Sequence, residues 1–263
     1  MALDGKVCVI TGSGGGIGKA TAVEMARQGA KVVVSDVNDE NGNGTVEEIR
    51  ATGGEATYKH ADMSAADEIG ALMQHAADTF GRLDVLHNNA GIHESDLTTD
   101  MTVQDLPIEV WDRLMDINLK GVWLGARAAF PHMQKAGGGA IVNASSTAGM
   151  TGYPMCPAYT SAKHAIVGLT KCMAIDFREA GIRANCYCPA SVDTQMVAKF
   201  YEAAEDPDMV KSFMTASHLF PKRLGRPEEV AKLVCFLASD DASFINGSAF
   251  LIDGGSLAWR GVE

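Results

Sequence analysis

The stretch "KVCVITGSGGGIG", Lys6 to Gly18, decides the fold. It opens with a short run rich in valine and isoleucine, the composition of a strand buried on both faces of a parallel sheet. Glycines follow, and from about residue 16 to 28 the apolar positions take up helical spacing. Gly12, Gly16 and Gly18 would let the chain turn tightly, approach a pyrophosphate and pack the helix against the sheet. A glycine-rich run alone says little, because loops are glycine-rich anyway. Its position between a strand and a helix is what gives it meaning.

The same alternation continues outward. "KVVVSD" (31–36), "LDVLHNN" (83–89), "GAIVNAS" (139–145), "IRANCYC" (182–188) and "SAFLID" (248–253) read as buried parallel strands, with a weaker one through "ATYKH" (56–60). Amphipathic helical stretches fall at about 64–80, 107–136, 157–180 and 227–238. This predicts an α/β fold: one Rossmann-like, doubly wound parallel sheet of seven strands with helices on both faces. At 263 residues the chain suits a single large domain spanning 1–263, and 46% hydrophobic content is enough to fill its core. Only about 190–226 breaks the rhythm, with two short helical patterns where a tight turn is expected.

Charge and cysteine usage narrow the function classes. A formal net charge of −11 disfavours nucleic acid or an anionic membrane as partner, since both need a basic face. The N-terminal "MALDGKVCVITG" reads as neither signal peptide nor membrane span, so the expected location is the cytoplasm. The six cysteines lie in apolar segments. Cys186 and Cys188 share one strand face, but no CxxC pair or histidine cluster accompanies them. They read as buried thiols, and no metal site is expected.

Two places suggest chemistry. The second strand ends at Asp36, eighteen residues after Gly18, where a carboxylate would hold a ribose 2′-hydroxyl. A 2′-phosphate would meet like charge there and no nearby arginine, which favours NAD over NADP. In "GYPMCPAYTSAK" (152–163), Tyr159 and Lys163 are four apart in a helical pattern, hence on one face, one turn apart. A free phenol titrates near ~10. A fixed ammonium beside it favours the phenolate and brings it toward the working range. Tyr153 lies in a Gly/Pro loop with Pro157 four later, so the geometry gives the chemistry to Tyr159.

The pattern TGxxxGxG at Thr11–Gly18, "NNAG" at Asn88–Gly91, a Ser–Tyr–Lys set and the late "RPEEVA" and "INGSAFLIDGG" together resemble the short-chain dehydrogenase/reductases, from about residue 3 to 255. The resemblance implies a catalytic set of Asn118, Ser146, Tyr159 and Lys163. Ser146 lies thirteen residues before Tyr159, the family's spacing, and its hydroxyl would hold the substrate oxygen. Ser145 is expected to point away by strand alternation. Lys163 would also bind the nicotinamide ribose, and Asn118 would hold a water linking the lysine to solvent. For the cofactor, the resemblance implies Gly12, Ser13, Gly16, Ile17 and Gly18 at the phosphates. Asp62 and Met63 fall to the adenine, Asn89, Ala90 and Gly91 to the adenosine side. Pro189, Val192 and Thr194 fall to the nicotinamide carboxamide, where Ala190 replaces the usual glycine.

The activity so implied is NAD-dependent interconversion of a secondary alcohol and a ketone, on a small, apolar substrate such as a cyclic alcohol or hydroxysteroid. Residues 190–226 would be a substrate lid carrying Met196 and Phe200, and His93, Tyr153 and Ala190 would border the pocket. The alternatives are a 3-ketoacyl thioester reductase, which usually takes NADPH, and a catalytically silent NAD-binding relative, which typically lacks the tyrosine or lysine. A homotetramer is implied by the resemblance as well.

Overall fold

The computed structural model describes residues 2–258 except 203. The glycine stretch sits where its sequence puts it, between β1 (Val7–Thr11) and α1 (Gly16–Arg27). The chain then runs β2 (Lys31–Ser35), α2 (Asp39–Ala51), β3 (Glu55–Tyr58), α3 (Ala66–Phe80) and β4 (Val85–Asn88). Two helices follow, α4 (Ile108–Met115) and α5 (Gly121–Ala136), joined by a π-helical turn, Asp116–Lys120. The second half adds β5 (Gly139–Ala144), α6 (Pro157–Asp176), β6 (Ile182–Pro189), α7 (Gln195–Glu202), α8 (Pro207–Thr215), α9 (Pro227–Ala238) and β7 (Ala249–Ile252).

The seven strands form one parallel sheet in the order β3-β2-β1-β4-β5-β6-β7. Alternation along β1 builds two cores at once. Val7 and Val9 join one buried layer with Met73, Met133 and Ile166 from α3, α5 and α6. Cys8 and Ile10 join the other with Met25 and Val234 from α1 and α9. The direction of winding reverses between β1 and β4. In a sheet of this kind, ligands bind in the crevice at the carboxyl ends of the strands flanking that reversal.

Two readings of the sequence need correction. The segment 39–51 carries no strong apolar period, yet it forms α2. Asn38 caps it by accepting from the Asn41 N–H, and only Gly42, Thr45, Val46 and Ile49 are buried. Its glycine has a packing cause: a Cβ at Gly42 would lie 2.2 Å from the Tyr58 ring. The Tyr58 hydroxyl, freed to reach inward, lies 2.7 Å from both the Asp36 carbonyl and the Asp39 carboxylate. The second correction is Cys172, which is exposed on α6 while the other five thiols are buried. Among the described residues no helix is long and apolar enough to cross a membrane.

Candidate active site

A cleft of about 410 Å³ opens at the carboxyl ends of the strands, and the glycine turn forms one wall. Gly12 and Gly16 take φ of 63° and 51°, the left-handed region that glycine enters without strain. A Cβ on Gly12 would lie 2.8 Å from the Ala90 backbone, and one on Gly18 only 2.2 Å from the Gly12 carbonyl oxygen. Gly18 thus packs α1 against the turn and does not line the cleft. No side chain caps α1, and its first turn holds no acid. Its first N–H groups are therefore available to an anion, the arrangement that suits a dinucleotide's phosphates.

The loop is braced from behind. Ser13, expected at the phosphates, is fully buried: its hydroxyl donates to the Ile10 carbonyl (2.8 Å) and accepts from the Ser35 N–H (3.0 Å). Its side chain locks the turn to β2 and faces away from the cleft. Asp36 lines the cleft and also accepts from the Gly14 N–H at 2.8 Å and the Asn38 N–H at 2.9 Å. Asn89 donates to the Thr11 and Gly12 carbonyls at 3.0 Å each, and its own oxygen lies 3.4 Å from the Tyr187 hydroxyl. Ile17, Met63, Ala90, Gly91, Pro189 and Thr194 line the same cleft.

An arginine that the sequence reading passed over also lines it. Arg113 of α4 donates to Asp62 at 3.0 Å and to the Ser64 hydroxyl at 2.6 Å. Burial raises the Asp62 carboxyl, but the Ser64 hydrogen bonds and the guanidinium outweigh it and hold it below the usual range. This guanidinium is engaged by Asp62 and Ser64 and makes no hydrogen bond or ion pair with Asp36 among the described residues. Its helical spacing gave no hint that it turned toward the cleft.

At the inner end four elements meet. The amine of Lys163, buried on α6, donates to the Ala144 carbonyl at the end of β5 at 2.8 Å. Ser145 also lines the cleft, and its hydroxyl donates to the Lys163 carbonyl at 2.8 Å, pinning the helix to the strand. Gly149 permits that approach, since a Cβ there would lie 2.6 Å from the same carbonyl. Tyr159 sits one turn earlier, its ring centroid 5.3 Å from the Lys163 amine. Ser146 accepts from the Ala148 N–H at 3.1 Å. Asn118 is buried in the π turn, which lets its side chain grip both the N–H (2.9 Å) and the carbonyl (2.8 Å) of Ile92.

Electrostatics at this end depart from the sequence expectation. Burial pushes the Tyr159 phenol up to about 12, and the Ser146 hydroxyl only partly opposes it. Burial pushes Lys163 down to about 8. Desolvation thus favours the neutral form of each group.

The segment 190–226 forms α7 and α8 beside the cleft. Met196 lines the cleft, and Phe200 meets the His93 ring edge-on at 5.5 Å. Lys199 pairs with Asp96, joining α7 to the loop after β4. Tyr153 is half exposed and lies 3.1 Å from the Thr147 hydroxyl. Ala190 and Val192 instead line a separate cavity of about 260 Å³ beside His218 and Pro221.

Residues 12–256 match a protein-family model described as enoyl-(acyl carrier protein) reductase. The chain is 44% identical over 250 residues to the cyclohexanol dehydrogenase of Acinetobacter sp. (strain SE19), covering 95% of this chain and 94% of that protein. The chain belongs to the short-chain dehydrogenase/reductase family. A second family member, the 3-oxoacyl-(acyl-carrier-protein) reductase of Thermotoga maritima, is 37% identical over 97% of this chain and 99% of its own length. Among solved short-chain dehydrogenases, the crystal structure of levodione reductase superposes with a TM-score of 0.90 at 34% identity. That match covers 97% of this chain and 99% of the other.

Proposed function

We propose that this short-chain dehydrogenase is an NAD-dependent oxidoreductase that interconverts a secondary alcohol and a ketone, with an apolar cyclic alcohol as the favoured substrate. The observation that carries the reading is one cleft with Asp36 and the uncapped start of α1 at one end and Tyr159 and Lys163 at the other. The glycine turn, Asp36, Asp62 and Asn89 would hold NAD, which when bound supplies the hydride acceptor for the carbinol carbon. Tyr159 takes the alcohol proton during oxidation and returns it during reduction. Ser146 holds the reacting oxygen by its hydroxyl. Lys163 and Asn118 fix the tyrosine's surroundings, Lys163 through Ala144 and Asn118 through Ile92.

The identity to cyclohexanol dehydrogenase and the apolar side chains of Met196 and Phe200 support a ring alcohol. The 3-oxoacyl-(acyl-carrier-protein) reductase match supports a second reading, reduction of a 3-ketoacyl thioester. Asp36 and the acidic surface speak against it. A cytoplasmic homotetramer goes with the first reading, with Trp111 and Trp123 part-exposed on the outer helices and Leu251 on edge strand β7.

The test is a screen of NAD and NADP against cyclic alcohols, hydroxysteroids and 3-ketoacyl thioesters, read by the absorbance of reduced nicotinamide. Turnover of cyclohexanol with NAD supports the proposal. A strong preference for NADP, or turnover of thioesters alone, overturns it. Light scattering on the eluted protein tests the tetramer.

A further inference from the structure

Beside Tyr159 lies a charged group that the catalytic set does not include. Glu94, in the short 3₁₀ turn Glu94–Asp96 after β4, is fully buried. Its Oε1 accepts the backbone N–H of Tyr159 at 2.8 Å, one of the first N–H groups of α6, a helix with no side-chain cap of its own. Its Oε2 has no hydrogen-bond partner among the described residues. A buried carboxylate oxygen left unpaired is costly, so its presence here points to a role beyond holding the loop.

The neighbouring histidine sharpens this. The Ser95 N–H donates to His93 Nδ1 at 3.2 Å, which leaves the proton of the neutral ring on Nε2. That nitrogen faces Glu94 Oε2 at 3.7 Å, too far for a direct hydrogen bond. The His93 ring in turn lies 5.1 Å from the Tyr159 ring, so the carboxylate, the imidazole and the phenol form one compact cluster.

We propose that Glu94 is a positioning residue for Tyr159: one carboxylate oxygen anchors the start of the helix that carries the phenol, and its buried charge holds that phenol in the protonated, donating form. The inference rests on the dehydrogenase reading for its consequence, not for its geometry. The titratable groups facing the phenol are Lys163 on its own helix, Cys156 and Tyr153 just before it, Tyr187 on β6, and His93 with Glu94. Lys163 is the cation among them, and burial lowers it to about 8, so in the alkaline range where the phenol titrates it is neutral. Glu94 therefore has little to oppose it, and its negative charge resists a second one on the ring. For alcohol oxidation, in which Tyr159 must accept a proton, this delays activity to higher pH. For ketone reduction it keeps the proton donor loaded.

Glu94→Gln keeps an oxygen that accepts the Tyr159 N–H and removes only the charge, whereas Glu94→Ala removes both. Tyrosinate absorbance is titrated in wild type and Glu94→Gln, each subtracted from its own Tyr159→Phe partner to isolate one of the five tyrosines. The expected result is a Tyr159 midpoint moved toward acid by roughly one pH unit in Glu94→Gln. The rise of cyclohexanol oxidation with pH should move the same way. Glu94→Ala should lose kcat at least tenfold, with most of that loss restored in the glutamine variant. An unmoved tyrosinate midpoint in a folded Glu94→Gln protein, judged by its circular dichroism and melting, overturns the proposal. A wild type inactive on every secondary alcohol would instead overturn the dehydrogenase reading, while the tyrosinate titration still decides the role of Glu94.

Discussion

Ser145 and Lys163 are joined backwards: the serine hydroxyl of the strand end holds the lysine's main-chain carbonyl at 2.8 Å, while the lysine's amine reaches back to the strand at Ala144. Two bonds in opposite senses fix α6 to β5, so Tyr159 and Lys163 are placed before any ligand arrives. Preorganisation of this kind is what makes a catalytic group effective.

Tyr159→Phe removes the hydroxyl proposed to trade the substrate's proton and leaves the ring's packing in place. Turnover of cyclohexanol should fall by about 10³-fold. NAD binding, followed by quenching of intrinsic fluorescence, should survive. Near-normal turnover would assign the proton transfer elsewhere.

Lys163 has a thermal consequence as well as a chemical one. The folded chain holds it at about 8, whereas the unfolded chain leaves it at the ordinary value near ~10.4. Between those values the unfolded state binds more protons, so stability rises with pH across that window. Below about pH 8 the buried cation costs its full amount, on the order of 3 kcal/mol. Lys163→Met should therefore raise the melting temperature of the cofactor-free protein at neutral pH by several degrees, while abolishing activity. The gain should vanish when the melts are repeated near pH 10.

Gly18→Ala places a methyl group 2.2 Å from the Gly12 carbonyl, where backbone cannot yield cheaply. The variant should lose on the order of 3 kcal/mol in urea unfolding, and its residual folded fraction should bind NAD weakly. Gly44, where an added Cβ meets nothing within 4 Å, is the control.

Asp36→Ala removes the carboxylate from the cleft wall and also the acceptor for the Gly14 and Asn38 N–H groups. The KM for NAD should rise about tenfold or more, equivalent to ~1.4 kcal/mol, with kcat for a saturated enzyme much less affected. Equal loss in both parameters would mean that the acid serves the chemistry and not the cofactor.

Lys199→Ala cuts the pairing of α7 with Asp96. An exposed pair of this sort is worth ~0.2–1 kcal/mol. The KM for cyclohexanol should accordingly rise about two- to fivefold, with faster proteolysis within 190–226. No change in either would show that this segment does not close over substrate.

The sheet was legible because buried parallel strands announce themselves: "KVVVS" and "AIVNA" have few other uses. The juxtaposition of Tyr159 and Lys163 was legible because they lie on one helical face. Helix α2 was hidden, since a helix that covers a sheet edge needs only Val46, Ile49 and small residues inside, and Gly42 argues against it locally. Glu94 and Arg113 were hidden for another reason. Each acts across a long stretch of chain, on Tyr159 and on Asp62, and neither spacing nor composition encodes such a meeting. The acidity of the tyrosine was misjudged because sequence shows the ammonium's proximity but not the water that burial removes.

Gly42 carries a consequence for redesign. Its missing methyl group makes room for Tyr58, and Tyr58 reaches the main chain of Asp36. Under the role proposed for Asp36, the choice between the two nicotinamide coenzymes extends, mechanically, to the outermost strand of the sheet. An engineer who exchanges Asp36 for a residue welcoming a 2′-phosphate would be altering one end of a lever whose other end is an aromatic ring seated on a glycine.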